Sequence, residues 1–121
     1  MSNDPFPVTI YHNPNCGTSR NVVAAVQAAG HAPVVVEYLK AGWTRELLTG
    51  LVARSGGSLR DLLREKGTPA AELGLLDPAV SDDVLLEAMI AHPILVNRPI
   101  VVTPLSVKLC RPSETVQALL G

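Results

Sequence analysis

Two changes of hydrophobic period between Val8 and Tyr38 constrain this chain more than any other feature in it. Val8-Thr9-Ile10-Tyr11 is a short apolar run of β-forming residues and reads as a strand. Asn13-Pro14 ends it, because the residue before a proline is pushed into extended conformations. From Thr18 to Ala29 the period becomes helical, with Val22, Val23, Val26 and Ala29 on one face. Gly30 stands where a helix C-cap belongs. Val34-Val35-Val36, followed by Tyr38, returns to a β-branched run and reads as a buried strand. A crossover of this length makes the two strands parallel and the connection right-handed.

The rest of the 121 residues is expected to complete one α/β domain around that unit. After the break at Ala41-Gly42, Thr44 caps a helix carrying Leu47, Leu48, Leu51 and Val52, which Ser55-Gly56-Gly57 ends. Ser58 and Asp61 resemble a capping arrangement before Leu59, Leu62 and Leu63, and Arg60 and Arg64 share a face of that short helix. Pro69 can open a further short helix ending near Gly74. Ser81-Asp82-Asp83 opens another, with Val84, Leu85, Ala88 and Met89 inward and Pro93 closing it. Residues 44–92 are thus a helical insertion. Ile100-Val101-Val102 and Val107-Lys108-Leu109 read as a hairpin, and a last helix starts at Arg111-Pro112-Ser113-Glu114. The expected order is β-α-β, helical insertion, β-β-α, forming a small mixed sheet over residues 1–121, with 1–7 as a flexible lead-in.

Composition narrows the function classes. Apolar residues make up 47% of the chain, enough for a core without disulfide staples. The net charge of −1 offers no electrostatic support for nucleic-acid binding. No apolar run reaches the roughly 18 residues that a membrane span needs. The first residues carry neither the basic start nor the apolar centre of a signal peptide. Cys16 and Cys110 are the only cysteines, which fits a cytoplasmic protein with one working thiol better than a secreted scaffold. His12, His31 and His92 are scattered, and neither cysteine has a partner at zinc-ligand spacing, so no metal is expected. His31 and His92 read as turn and helix-end residues, and Trp43 as a packing anchor.

Cys16 lies between the first strand and the first helix. Unpaired N–H groups and the helix dipole there favour an anion, whether a thiolate or a bound oxyanion. A protonated His12, four residues back, would support the thiolate, and so would the Ser19 hydroxyl if it donates to the sulfur. The competing reading is a buried, inert cysteine. Cys16-Gly17-Thr18-Ser19 has the spacing of a C-x-x-C redox motif with serine in place of the second thiol. The sulfur would therefore be resolved by an outside thiol or by Cys110. Arg60/Arg64, Arg98 and Arg111 can each present a planar fork of donors to a tetrahedral oxyanion. Arg98 and Arg111 also fall at strand ends, where open α/β sheets place their sites. Taken singly, each arginine reads first as a solvated surface charge, and the oxyanion role depends on all three segments meeting at Cys16.

Three longer motifs go beyond this. Tyr11-His12-Asn13-Pro14-x-Cys16-Gly17-Thr18-Ser19-Arg20-Asn21, His92-Pro93-Ile94-Leu95-x-Asn97-Arg98-Pro99-Ile100-Val101 and Leu109-Cys110-Arg111-Pro112-Ser113-Glu114 together resemble the glutaredoxin-linked arsenate reductases of bacteria. The resemblance runs from about Val8 to Leu120. It implies a thioredoxin-like fold with a helical insertion. It also implies that Cys16 attacks arsenate while His12 and Ser19 support its thiolate. Arg64, Arg98 and Arg111 would bind the oxyanion, with Arg60, one turn away, as the alternative to Arg64. Pro99 would be the cis proline beside the thiol. No cofactor would be bound: glutathione would be a co-substrate and glutaredoxin the protein partner, in the cytoplasm. Two other readings remain from the residues. One is a thioredoxin-like regulator that binds RNA polymerase, which would normally carry a second cysteine where Ser19 stands. The other is a monothiol glutaredoxin-like protein. A low-molecular-weight phosphatase site is disfavoured, because its C-x5-R spacing differs from Cys16-x3-Arg20.

Overall fold

Strand β1, Thr9–His12, is paired on both sides and organises the sheet. Strand β2, Val34–Glu37, runs parallel to it, whereas β3, Ile100–Val102, runs antiparallel on its other side. Strand β4, Val107–Leu109, closes an antiparallel hairpin with β3, and the strand order is β2-β1-β3-β4. A computed structural model describes residues 6–120, so most of the expected lead-in lies outside the described residues. The mixed sheet and element order are the thioredoxin-like arrangement that the motifs imply.

Helix α1, Gly17–Ala28, covers the sheet through Val22 and Val26. Gly30 ends it at φ +91°, a conformation that glycine adopts without steric cost, and its N–H is donated to Gln27 O. A 3-10 helix, Ser113–Leu119, packs against α1 in place of the expected closing helix. Between these elements lies a core of Val8, Ile10, Val22, Val26, Val101, Cys110, Val116 and Leu119. The expectation of a buried β2 is corrected. It is an edge strand, with Val34 61% and Val35 40% exposed. β-branching reports a pleated backbone, not a position within the sheet. Tyr38, read as part of that strand, is instead fully buried in the one-turn helix α2, Tyr38–Ala41.

The chain divides into two compact units. One holds the sheet, up to Ala41 and again from Arg98; the other is Gly42–Asn97. In the second, helix α3, Arg45–Ser55, starts at Thr44, whose hydroxyl accepts the Leu47 N–H, and stops at Gly56 with φ +75°. The Ser58–Asp61 capping box is present and opens a 3-10 turn, Leu59–Leu62. Helix α4, Asp82–Ala91, buries Leu85, Leu86 and Met89, while Val84 stays 51% exposed, contrary to its expected inward place. The helix expected from Pro69 to Gly74 forms as successive turns, with Leu73 N–H on Pro69 O and Gly74 N–H on Ala71 O.

Those turns have a clamp. Arg60 donates from Nη1 to Leu75 O (3.1 Å) and from Nη2 to Asp77 O (3.1 Å) and Val80 O (3.2 Å). A guanidinium holding three main-chain carbonyls stabilises a stretch that has no ladder of its own. Arg60→Ala is expected to cost about 1.5–3 kcal/mol in denaturant unfolding and to speed amide exchange across residues 75–80. Unchanged exchange there would remove the clamp role.

Candidate active site

The thiol sits on a four-residue reversal. Asn13 O accepts the Cys16 N–H at 3.0 Å across Pro14 and Asn15, and Arg20 N–H then bonds Cys16 O to begin α1. Cys16 is therefore the N-cap residue, with extended backbone at φ −102° and ψ 121°. Its sulfur closes no full capping bond, but the Ser19 backbone N–H still acts on it. The side chain is 8% exposed, so it is sheltered rather than sealed.

Four influences set the ionisation of Cys16. Burial pushes its pKa up. The Ser19 backbone N–H, then Arg111, then Arg98, push it down, and the net shift is downward. Arg111 Nη1 lies 3.6 Å from the sulfur and also donates to Arg98 O at 3.0 Å. The carbonyl thus holds the guanidinium against the thiol. The Arg98–Pro99 and Arg111–Pro112 peptides are both cis. Pro99 is buried, and its carbonyl accepts the Cys110 N–H, which ties the start of β3 to the end of β4. All these groups belong to the sheet unit.

His12 and Ser19 meet, but by a different route from the one the sequence suggests. His12 Nδ1 and Ser19 Oγ are 2.6 Å apart, and Ser19 Oγ also accepts the Asn13 N–H at 3.1 Å. The hydroxyl therefore serves His12 and the loop, while the main-chain N–H of Ser19 serves the sulfur. Burial lowers the His12 pKa, outweighing Glu37, which raises it; Arg20 adds to the lowering. Burial thus works against an imidazolium at this position, and the contact the ring makes is with the Ser19 hydroxyl.

The ArsC family model matches residues 11–119. An arsenate reductase of Rhizobium meliloti (strain 1021) is 58% identical over 113 residues, covering 93% of this chain and 81% of that one. The arsenate reductase of Escherichia coli (strain K12) is 50% identical over the same share of this chain and 80% of its own. The chain belongs to the ArsC family. Among solved structures, an arsenate reductase from Vibrio cholerae superposes with a TM-score of 0.90 at 39% identity, covering 97% of this chain and 100% of that one.

In this ArsC-family chain the remaining sequence candidates separate cleanly. Arg60 is committed to the carbonyls of residues 75–80. Arg64 belongs to the helical unit, where Nε donates to Lys66 O and Nη1 to Asn97 Oδ1, both at 3.0 Å. Cys110, named as a possible resolving thiol, is fully buried in the core, where burial raises its pKa to about 12. Its Sγ faces Lys108 O at 3.7 Å. A thiol so held is not a nucleophile near neutral pH. Among the described residues, no group of three or more His, Cys, Asp or Glu side chains is arranged to hold a metal ion, and no helix is long and apolar enough to cross a membrane. Asn13 and Arg20, read from sequence only as a strand stop and a spacing mark, both hold the thiol loop.

Because folding lowers the Cys16 pKa, the thiolate persists below the usual thiol range and is lost only as pH falls through the lowered value. Iodoacetamide alkylation of Cys16 is expected to show a midpoint below about 8.5, the ordinary cysteine value. Cys110 in the same sample is expected to stay unmodified. A Cys16 midpoint at or above the ordinary value would remove the activated-thiolate reading.

Proposed function

We infer that this chain reduces arsenate to arsenite through Cys16. The observation that carries the reading is the Arg111 guanidinium 3.6 Å from Cys16 Sγ, with Arg98 acting on the same sulfur at the amino end of α1. One cluster of donors thereby serves both the nucleophile and a tetrahedral oxyanion. The name arsenate reductase belongs to relatives 50% and 58% identical over 93% of this chain, and that supports the same substrate here.

In the proposed sequence, the Cys16 thiolate attacks arsenic(V). An As–S bond forms, and one arsenate oxygen leaves as water after taking up protons. Arg98 and Arg111 hold the charge that gathers on the remaining oxygens. Arg64 is assigned to the same task on its motif. Glutathione then attacks the adduct, and glutaredoxin supplies the second thiol. The two donor thiols end as one disulfide, their two electrons convert arsenic(V) to arsenic(III), and water cleaves the remaining As–S bond, releasing arsenite and restoring Cys16 as a thiol. His12 and Ser19 keep the loop that carries Cys16 in register with α1. A cytoplasmic setting, rich in reduced glutathione, suits this chemistry.

The test is arsenate-dependent oxidation of glutathione by the purified chain, with and without glutaredoxin. Turnover that requires arsenate and rises with glutaredoxin supports the whole scheme. Turnover with another thiol donor but not with glutaredoxin would keep the arsenate chemistry and remove the partner. No arsenate-dependent turnover with any donor would remove the reading.

A further inference from the structure

The peptide unit between Pro14 and Asn15 is held at both ends by side chains. Its N–H, on Asn15, is accepted by Asn13 Oδ1 at 2.9 Å. Its carbonyl, on Pro14, accepts from Arg20 Nη1 at 2.8 Å. Pro14 and Asn15 are themselves exposed, whereas Asn13 is 3% exposed. A peptide plane on a surface turn ordinarily bonds water and can rotate with little cost. This one lies one peptide before Cys16, within the turn closed by the Cys16 N–H on Asn13 O, so its rotation would be passed through Asn15 to the thiol.

Asn13 makes two further bonds: its N–H goes to Ser19 Oγ, and its O accepts the Cys16 N–H. Any residue at position 13 could make those two from its backbone. Only a side chain with an acceptor at the right reach can also hold the Asn15 N–H, in the Asx-turn arrangement that asparagine favours. Arg20 projects back from the first turn of α1, so its grip on Pro14 O couples the loop to the helix that bears on the sulfur.

We propose that Asn13 and Arg20 are positioning residues that clamp the 14–15 peptide and thereby aim Cys16 Sγ at the Ser19 N–H and Arg111. This rests on Cys16 being the nucleophile, not on arsenate being its substrate. Its primary readouts therefore need no oxyanion.

In the unmodified chain, hydrogen exchange by NMR is expected to show the Asn15 amide protected although the residue is exposed. In Asn13→Ala that amide is expected to exchange roughly tenfold faster, the scale of one lost hydrogen bond. The alkylation midpoint of Cys16 should then rise by about half a pH unit or more as the sulfur loses alignment with its donors. Asn13→Ser, whose hydroxyl can accept from the N–H two residues on, is expected to recover part of both effects. Arg20→Ala, at an exposed site, is expected to loosen the same amide. In arsenate turnover the change should fall on kcat more than on KM, because Arg98 and Arg111 are untouched.

An Asn15 amide that exchanges at the unprotected rate in the unmodified chain would overturn the proposal, and that measurement requires no variant to fold. So would a folded Asn13→Ala whose Cys16 midpoint does not move. If arsenate turnover is absent while the amide and the midpoint behave as expected, the clamp stands and the substrate assignment fails.

Discussion

Cys16→Ser is expected to reduce arsenate turnover by about a thousandfold or more, the scale on which removal of a covalent nucleophile is felt. The substitution is nearly isosteric. Serine is also a preferred residue at a helix N-cap, so its hydroxyl can accept an N–H of the first turn and preserve the loop. What it cannot do is ionise. The donors that lower the Cys16 pKa, the Ser19 N–H, Arg111 and Arg98, act on a group already within reach of neutral pH. A hydroxyl starts several units further away and stays neutral. The adduct with arsenic does not form, and the donor thiols have nothing to attack. Unfolding midpoints should remain close to those of the unmodified chain, which separates lost chemistry from lost fold. Retention of a tenth or more of the turnover by Cys16→Ser would assign the nucleophile elsewhere.

Arg111→Ala is expected to lower kcat/KM for arsenate by roughly 10- to 150-fold, equivalent to about 1.5–3 kcal/mol for a lost charge-assisted contact. Three effects act together. The guanidinium 3.6 Å from Cys16 Sγ disappears, so the thiolate is less favoured. The oxyanion loses a planar donor. Arg98 O, which accepts from Arg111 Nη1 at 3.0 Å, loses that partner beside the site. The first effect predicts a Cys16 alkylation midpoint above that of the unmodified chain, and the second a raised KM for arsenate. Arg111→Lys would keep a charge but not the fork that spans sulfur and carbonyl, so it is expected to recover only part of the loss. Arsenate kinetics and an alkylation profile that are both unchanged in Arg111→Ala would remove the arginine from the site.

Motif spacing left two arginines competing for one role, and hydrogen bonding resolves part of that competition. Arg60 and Arg64 share a helical face on paper, yet Arg60 is engaged with Leu75, Asp77 and Val80 carbonyls. Nothing local to residues 58–64 signals those partners, because they lie 15 to 20 positions further along the chain. The same holds for Cys110. Its neighbours Lys108 and Arg111 are charged, yet just past the end of β4 its side chain enters the core of Val8, Ile10, Val22, Val26 and Val101. A sequence read residue by residue sees the charges and not the face.

The amino-acid order alone determined the stop at Asn13-Pro14, a thiol at the amino end of the first helix, the ends at Gly30 and Gly56, the hairpin around Pro104 and the order of the elements along the chain. These follow from backbone preferences acting over a few residues, and such preferences are written locally. Only the tertiary structure decided that β2 lies at the sheet edge, that the Ser19 hydroxyl turns to His12 while its N–H serves the sulfur, and that Arg111 reaches a thiol 95 positions away. Those outcomes depend on which strands pair and on which face each side chain leaves, and pairing between distant segments is set by the burial of the whole core.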